Sequence, residues 1–163
     1  MAVVDESGVV VGAAPRSVVR RDNLRHGATG VLVRNAAGEV YVHRRTETKD
    51  VFPGAHDCWA GGVLLAGEDP LAGAERELAE ELGVVGVPLV PIGVAPYADD
   101  VTRYVGHLYE VRYEGPFRHQ PEEVAWGGWM SLAEFRERLT DPGWPFVPDG
   151  RAFLETWRQL QQS

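Results

Sequence analysis

Apolar positions occur along this chain in short alternating or continuous runs, a pattern that predicts strands interspersed with helices. The runs most typical of strands are Val9–Val11, Gly30–Arg34, Glu39–His43, Leu89–Ala95, Val101–Tyr113 and Glu123–Trp129. The segment Asn35–Gly38 has the composition of a tight turn and predicts a hairpin between the second and third runs.

A helix is predicted from about Pro70 to Leu82 because its sequence contains both end signals. Asp69 is a candidate N-cap, Pro70 suits the first helical position, and Gly83 suits the position just beyond the end. Apolar residues recur at spacings of three and four and predict one face packed on the core: Leu71, Ala74, Leu78 and Leu82.

Two further helices are predicted near the end of the chain. Ser131 and Glu134 form a capping-box pattern that opens a helix to about Leu139, and Asp141-Pro142-Gly143 ends it. A last helix from about Gly150 would place four apolar residues on one face: Phe153, Leu154, Trp157 and Leu160. Strands mixed with a few helices predict an α/β (α+β) fold, and a length of 163 residues predicts a single domain over 1–163.

Composition narrows the possible functions. The formal charge of −8 argues against a nucleic-acid partner or an anionic membrane surface, each of which calls for a basic face. No apolar run approaches the roughly 20 residues of a membrane span, and no secretory signal is visible, so we expect a cytoplasmic protein. The only cysteine, Cys58, excludes an internal disulfide and a cysteine-based zinc site. The pattern leaves the oligomeric state open.

Three carboxylates share one strip of the helix from Pro70 to Leu82. Glu77, Glu80 and Glu81 are related as i, i+3 and i+4, and like charges at those spacings cost roughly 0.2–0.5 kcal/mol per pair. Arg76 offsets only part of that repulsion. A bound cation would offset the rest, and carboxylate oxygens suit Mg²⁺ or Mn²⁺.

The segment from Gly62 to Val84 resembles the signature of the Nudix hydrolase family, G-x5-E-x7-R-E-U-x-E-E-x-G-U, in which U is a bulky aliphatic residue. Seven fixed identities match by chance at a given start with odds on the order of 10⁻⁸. Every specified position is filled, by Gly62, Glu68, Arg76, Glu77, Leu78, Glu80, Glu81, Gly83 and Val84. We call residues 62–84 the Nudix box.

The resemblance implies a Nudix-type α/β/α sandwich with a mixed sheet between helices, and hydrolysis of a phosphoanhydride bond with Mg²⁺, for which Mn²⁺ is a possible substitute. Glu77 and Glu81 are the first choices as metal ligands, with Glu80 holding a second ion or acting through water. The backbone carbonyl of Gly61 or Gly62 would complete the shell.

The box also contains residues expected to be structural: Gly62, Glu68, Arg76 and Gly83. Glu68 and Arg76 are expected to form an ion pair that ties the loop to the helix and fixes the carboxylates. In the family the general base is a glutamate of the box or of a downstream loop, and here Glu80, Glu122 and Glu123 are the candidates.

Positive charge precedes the box. Arg44, Arg45 and Lys49 are candidates for binding phosphate oxygens. Because successive residues of a strand point to opposite faces, only one of the two arginines is expected to reach the site, and we favour Arg45 together with Lys49.

The N-terminal half resembles a narrower branch, that of isopentenyl-diphosphate isomerase and its hydrolase-like relatives. The resemblance lies in an N-terminal extension, residues 1–27, and in Lys49-Asp50 and Phe52-Pro53-Gly54. His26 aligns with one metal histidine of the isomerases. The other two metal histidines fall near Val19 and Val63, and the catalytic cysteine falls at Gly61, with Cys58 three positions too early.

The sequence therefore predicts a metal-dependent pyrophosphohydrolase that acts on a nucleoside di- or triphosphate or a related nucleoside diphosphate derivative. Two alternatives stay open: an isopentenyl-diphosphate isomerase-like enzyme, and a non-catalytic nucleotide-binding Nudix module.

Overall fold

The structure, a computed structural model, describes residues 1–162, and the side chains of Leu160 and Gln162 lie outside that description, as does the predicted place of Leu160 on an apolar face. The strands are β1 (Ala2–Val4), β2 (Val10–Ala13), β3 (His26–Arg34), β4 (Val40–Arg45), β5 (His56–Asp57), β6 (Trp59–Ala60), β7 (Val90–Ala98), β8 (Arg103–Arg112) and β9 (Val124–Met130). The helices are α1 (Arg16–Asp22), α2 (Pro70–Leu82), α3 (Leu132–Leu139) and α4 (Pro148–Gln162).

Strand β3 is the central strand of a mixed sheet. It pairs in parallel with β8 along its whole length, from His26 opposite Tyr104 to Arg34 opposite Arg112. Antiparallel pairs join β3 to β1, β4 and β6, and join β4 to β5 and β9. Mixed pairing around one strand places residues from distant parts of the chain side by side.

Both faces of β3 are buried, and alternate residues pack into different cores. Val31 and Val33 pack in a cluster that contains Leu78 of α2. Leu32 points the other way, into a cluster that contains Phe153 and Trp157 of α4. The period of two along a strand thus puts a helix on each face of the sheet, which confirms the predicted α+β sandwich.

Helix α2 has the bounds that the sequence predicts, because both ends are fixed locally. The Asp69 carboxylate accepts a hydrogen bond from the Ala72 amide at 3.2 Å, and Gly83 adopts a left-handed φ of 69°. The predicted core face is wrong at Leu71, which is 40% exposed. Leu71 lies in the first turn of α2 and does not belong to the buried cluster that contains Leu78.

The other predicted elements differ from the structure mainly in length. The Asn35–Gly38 turn and the helix after Ser131 are confirmed, and the Ser131 hydroxyl accepts from the Glu134 amide at 3.1 Å. The last helix begins at Pro148, and β3 begins at His26, four residues before the predicted start.

The pattern missed β1, α1, β5 and β6, all of which are short. Tertiary contacts stabilise the N-terminal pair: Val3 pairs with His26, and Val19 of α1 is fully buried. Within residues 1–162, no helix is long and apolar enough to cross a membrane.

Two leucines of α2 provide a test of this packing. Leu78→Ala should lower the free energy of unfolding by about 2–5 kcal/mol, because Leu78 is fully buried and its removal leaves a cavity. Leu71→Ala, the same change two turns earlier, should cost less than about 1 kcal/mol. Urea unfolding followed by circular dichroism measures both, and equal losses would contradict the observed orientation of α2.

Candidate active site

A cavity of about 220 Å³ opens between α2, β3 and the loop that follows β4. It brings together most of the predicted site residues: Arg45, Lys49, Gly61, Gly62, Glu77, Glu80, Glu81 and Glu123. Arg44, Glu68, Arg76 and Gly83 are outside its lining.

The backbone before α2 runs close against β3. The Thr29 amide donates to the Gly62 carbonyl at 2.9 Å, and the Leu64 amide donates to the Gly27 carbonyl at 2.8 Å. A Cβ on Gly61 would overlap the Thr29 carbonyl, and one on Gly62 would lie 2.7 Å from the carboxyl carbon of Glu77. Glycine is therefore required at position 61, and a side chain at position 62 would displace the Glu77 carboxylate.

This close approach brings the backbone to the carboxylates of α2. The Gly61 amide donates to Glu81 Oε2 at 3.4 Å, and Glu81 is only 6% exposed. Burial, together with the charge of Glu77, raises the pKa of Glu81 to about 8, although Lys49 and Arg45 act in the opposite direction. Burial also raises the pKa of Glu77, and the neighbouring Arg76 only partly offsets that shift.

Arg76 holds the loop and the helix together. Its guanidinium donates to the two carboxylate oxygens of Glu68 at 2.8 and 3.0 Å and to the Val63 carbonyl at 3.3 Å, so the predicted ion pair is present. The hydrogen bond from Arg76 lowers the pKa of Glu68. The same guanidinium reaches Glu77 at 2.8 Å and Glu80 at 3.3 Å.

Arg76, rather than a third carboxylate, is thus the close partner of Glu77 and Glu80. In keeping with this, no group of three or more His, Cys, Asp or Glu side chains in the described part of the chain is arranged so that it could hold a metal ion. Of the four glutamates that the signature specifies, Glu81 is the one that Arg76 does not contact.

A second wall of the cavity contains Lys49 and Glu123, which form an ion pair. Burial and the charge of Arg45 lower the pKa of Lys49, and the charge of Glu81 opposes them. The neighbouring Glu122 is exposed and does not line the cavity, and its carbonyl accepts from the Thr46 hydroxyl at 3.0 Å.

The two arginines at the end of β4 point in different directions. Arg45 lines the cavity, and its Nε donates to the Val51 carbonyl at 3.0 Å. Arg44 lies outside the cavity, where it donates to Glu47 at 2.6 Å and to the Gly54 carbonyl at 3.1 Å. The placement follows the alternation of side chains along a strand.

Other groups of the lining were not singled out from the sequence. Asp57 is buried, and burial together with the charge of Asp149 raises its pKa to about 7. The Tyr104 hydroxyl donates to Asp149, a residue 45 positions away in the chain. No local spacing could identify groups so far apart. Arg16 and Arg20 also belong to this set, and both pair with Asp50, which the sequence indicated only as part of the isomerase resemblance.

Comparisons with known proteins agree with the signature. A family model described as the NUDIX domain matches residues 24–150. An uncharacterized Nudix hydrolase of Rhodococcus erythropolis is 46% identical over 164 residues, which cover 94% of this chain and 89% of the relative.

Solved structures share the fold. The crystal structure of DR0079 from Deinococcus radiodurans has a TM-score of 0.78 at 23% identity and covers 99% of this chain and 96% of its own. The NUDIX domain of NrtR from Shewanella oneidensis, solved with ADP ribose, has a TM-score of 0.68 at 16% identity. The match covers 96% of this chain and 98% of that domain's chain. The chain belongs to the Nudix hydrolase family, whose members are generally pyrophosphohydrolases of nucleoside diphosphate derivatives.

Proposed function

We propose that this protein is a divalent-cation-dependent pyrophosphohydrolase of a nucleoside di- or triphosphate, or of a related nucleoside diphosphate derivative. One observation carries the proposal: the buried Glu81 carboxylate and Glu77 share a cavity with Arg45 and Lys49. Acidic groups on one wall and basic groups on another suit a substrate that is a cation-bound polyanion.

The acidic wall fits a divalent cation. Burial disfavours the charged forms of Glu77 and Glu81 and raises the pKa of both, and a bound cation would favour those charged forms. Glu77, Glu81 and the Gly61 carbonyl would hold Mg²⁺ or Mn²⁺, with Glu80 beside them. When bound, such a cation neutralises charge on the diphosphate and favours attack by water.

The chain's own residues would perform the remaining steps. Arg45 and Lys49 would bind phosphate oxygens and orient the scissile bond. Glu80 or Glu123 would accept the proton of the attacking water, because both line the cavity and Glu122 does not. The Glu68–Arg76 pair would keep the carboxylates in place.

The alternatives receive less support. Cys58 is buried outside the cavity, and Gly61 occupies the position where the isomerase resemblance places the catalytic cysteine, so we favour hydrolysis on an isomerase-like scaffold. A binding module has no need of the complete set of box carboxylates found here. The ADP ribose in the Shewanella domain is consistent with a nucleoside diphosphate ligand. A single domain over 1–163, with 1–27 as its extension, and a cytoplasmic location stay predictions.

The acidic wall predicts a pH-dependent stability in EDTA. The pKa of Glu81 rises from 4.5 to about 8 on folding, so between these pH values the folded protein keeps a proton that the unfolded chain releases. The free energy of unfolding therefore falls as pH rises from 4.5 to about 8. Glu81→Gln removes this loss, and its advantage over the wild type should grow by up to about 1.36 kcal/mol per pH unit.

Chemical unfolding at several pH values measures this difference. Glu75→Gln, an exposed change on the same helix, serves as the control and should follow the wild type. Saturating Mg²⁺ should stabilise the wild type at pH 8 more than Glu81→Gln. Parallel curves for wild type and Glu81→Gln in EDTA would contradict the account of the acidic wall.

Hydrolysis is tested by ³¹P NMR on a panel of nucleoside di- and triphosphates, ADP-ribose, dinucleoside polyphosphates, NADH, coenzyme A and isopentenyl diphosphate. The wild type should cleave at least one phosphoanhydride with Mg²⁺ and none with EDTA. Glu81→Gln should lower kcat about 100-fold or more, because it removes a ligand of the cation that would neutralise charge at the reacting phosphate, whereas Glu75→Gln should not. Intact phosphoanhydrides across the panel, or isomerised isopentenyl diphosphate, would overturn the proposal.

The proton acceptor is tested by three matched changes: Glu80→Gln, Glu122→Gln and Glu123→Gln. Loss of the base should lower kcat by about 10²–10⁴ with little change in KM and should remove the acidic limb of the pH–rate profile. We expect this loss in Glu80→Gln or Glu123→Gln. The same loss in Glu122→Gln alone would show that the cavity lining does not define the base.

A further inference from the structure

Helix α1 forms part of the wall of the same cavity. Arg16 and Arg20, one helical turn apart, both line it. Arg21, the next residue of the helix, points elsewhere and pairs with Asp22, and its side chain is 70% exposed. The helix therefore presents two of its three arginines to the cavity.

Several contacts fix α1 in this position. Val19, a residue of α1, is buried, and Asn23 ends the helix in a left-handed conformation with φ 46°. The Asn23 side chain donates to the Asp99 carbonyl at 2.8 Å, and Arg20 reaches the Thr102 hydroxyl at 3.5 Å. The Arg20 guanidinium is thus anchored in the wall of the cavity and is only 23% exposed, whereas Arg16 is 52% exposed.

The cations of the lining have few carboxylate partners of their own. Arg16 and Arg20 share a single carboxylate, that of Asp50, at 2.9 and 3.3 Å. Lys49 pairs with Glu123, and among the described residues the Arg45 guanidinium donates only to the Val51 carbonyl. The other carboxylates of the lining form no ion pair with these four cations within the described residues: Asp57, Glu77, Glu80, Glu81 and Asp149. Two guanidinium groups that share one carboxylate have N–H donors left for an anionic ligand.

We propose that Arg16 and Arg20 bind the terminal phosphate of the substrate, so that the enzyme prefers phosphate chains that end in a free phosphate over chains capped at both ends. This inference rests on the proposed hydrolase function and names its substrate class, nucleoside di- and triphosphates. A terminal phosphate has a charge of about −1.5 to −2 and three acceptor oxygens at neutral pH. An internal phosphate offers fewer charges and fewer free oxygens to a pair of guanidinium groups.

The test compares a double variant, Arg16→Gln/Arg20→Gln, with the single variant Arg21→Gln, a change of the same type on the same helix. The readouts are kcat/KM for a nucleoside triphosphate and for ADP-ribose, and calorimetric binding of inorganic tripolyphosphate in EDTA. A charge-assisted hydrogen bond contributes about 1.5–3 kcal/mol, so each lost guanidinium should weaken triphosphate recognition about tenfold or more. The effect on ADP-ribose should stay below about threefold, and Arg21→Gln should match the wild type.

Equal losses for the triphosphate and ADP-ribose, or no loss for either, would overturn the inference. Arg16→Gln alone covers the case in which the double variant does not fold, because Arg16 is half exposed. Arg16→Lys/Arg20→Lys, which keeps the charge, should restore part of the tripolyphosphate affinity.

Different results would contradict the hydrolase function and the phosphate-binding role of Arg16 and Arg20. If the hydrolase function is wrong, the wild type cleaves nothing, yet tripolyphosphate binding still reports on Arg16 and Arg20. If only the subsite is wrong, Mg²⁺-dependent hydrolysis persists, and tripolyphosphate binds the wild type and Arg16→Gln/Arg20→Gln with equal affinity.

Discussion

The close contact of Gly61 and Gly62 with β3 on one side and α2 on the other is the constraint on which the site depends. A side chain at Gly61 would overlap the Thr29 carbonyl, and one at Gly62 would displace the Glu77 carboxylate. The hydrogen bond from Thr29 to Gly62 fixes the distance between the strand and the segment before the helix. Glu81 is buried as a consequence, with the Gly61 amide beside it.

Burying several carboxylates close together costs free energy, and the structure offsets this cost with an ion pair for some of them but not for Glu81. Arg76 offsets the charge of Glu68, Glu77 and Glu80 through direct ion pairs. Among the described residues Glu81 forms no such ion pair, and the charges of Lys49 and Arg45 lower its pKa only at longer range. A buried carboxylate without a cationic partner favours binding of a proton or a cation. The buried charge of Glu81 therefore lowers the stability of the fold, and cation binding would restore that stability.

The cavity contains both signs of charge. The carboxylates of α2 line it together with four cations, Arg16, Arg20, Arg45 and Lys49. An acidic chain can therefore still place several cations in one cavity, which its overall charge does not reveal. The proposed metal ligands and the proposed phosphate-binding residues share this cavity.

The features predicted correctly from the sequence were those fixed by local chemistry. Helix α2 was predicted with its bounds because Asp69 and Gly83 act within one turn of its ends. The prediction is wrong at Leu71 because spacing gives the direction of an apolar face but not which of its residues the rest of the fold covers.

Features that depend on tertiary contacts were missed. Helix α1 is short and contains two adjacent valines, so its position depends on burial of Val19 and on contacts with the loop between β7 and β8. The grouping of Asp57 with Tyr104 and Asp149 depends on the parallel pairing of β3 with β8 and on the start of α4. Neither follows from spacing along the chain.

Anomalous diffraction from crystals grown with Mn²⁺ tests the central claim most directly, since it locates the cation without relying on turnover. The account predicts a Mn²⁺ peak beside the Glu81 carboxylate and the Gly61 carbonyl, lost in Glu81→Gln and kept in Glu75→Gln. A peak at Asp57 and Asp149 instead, or none in the cavity, would contradict it.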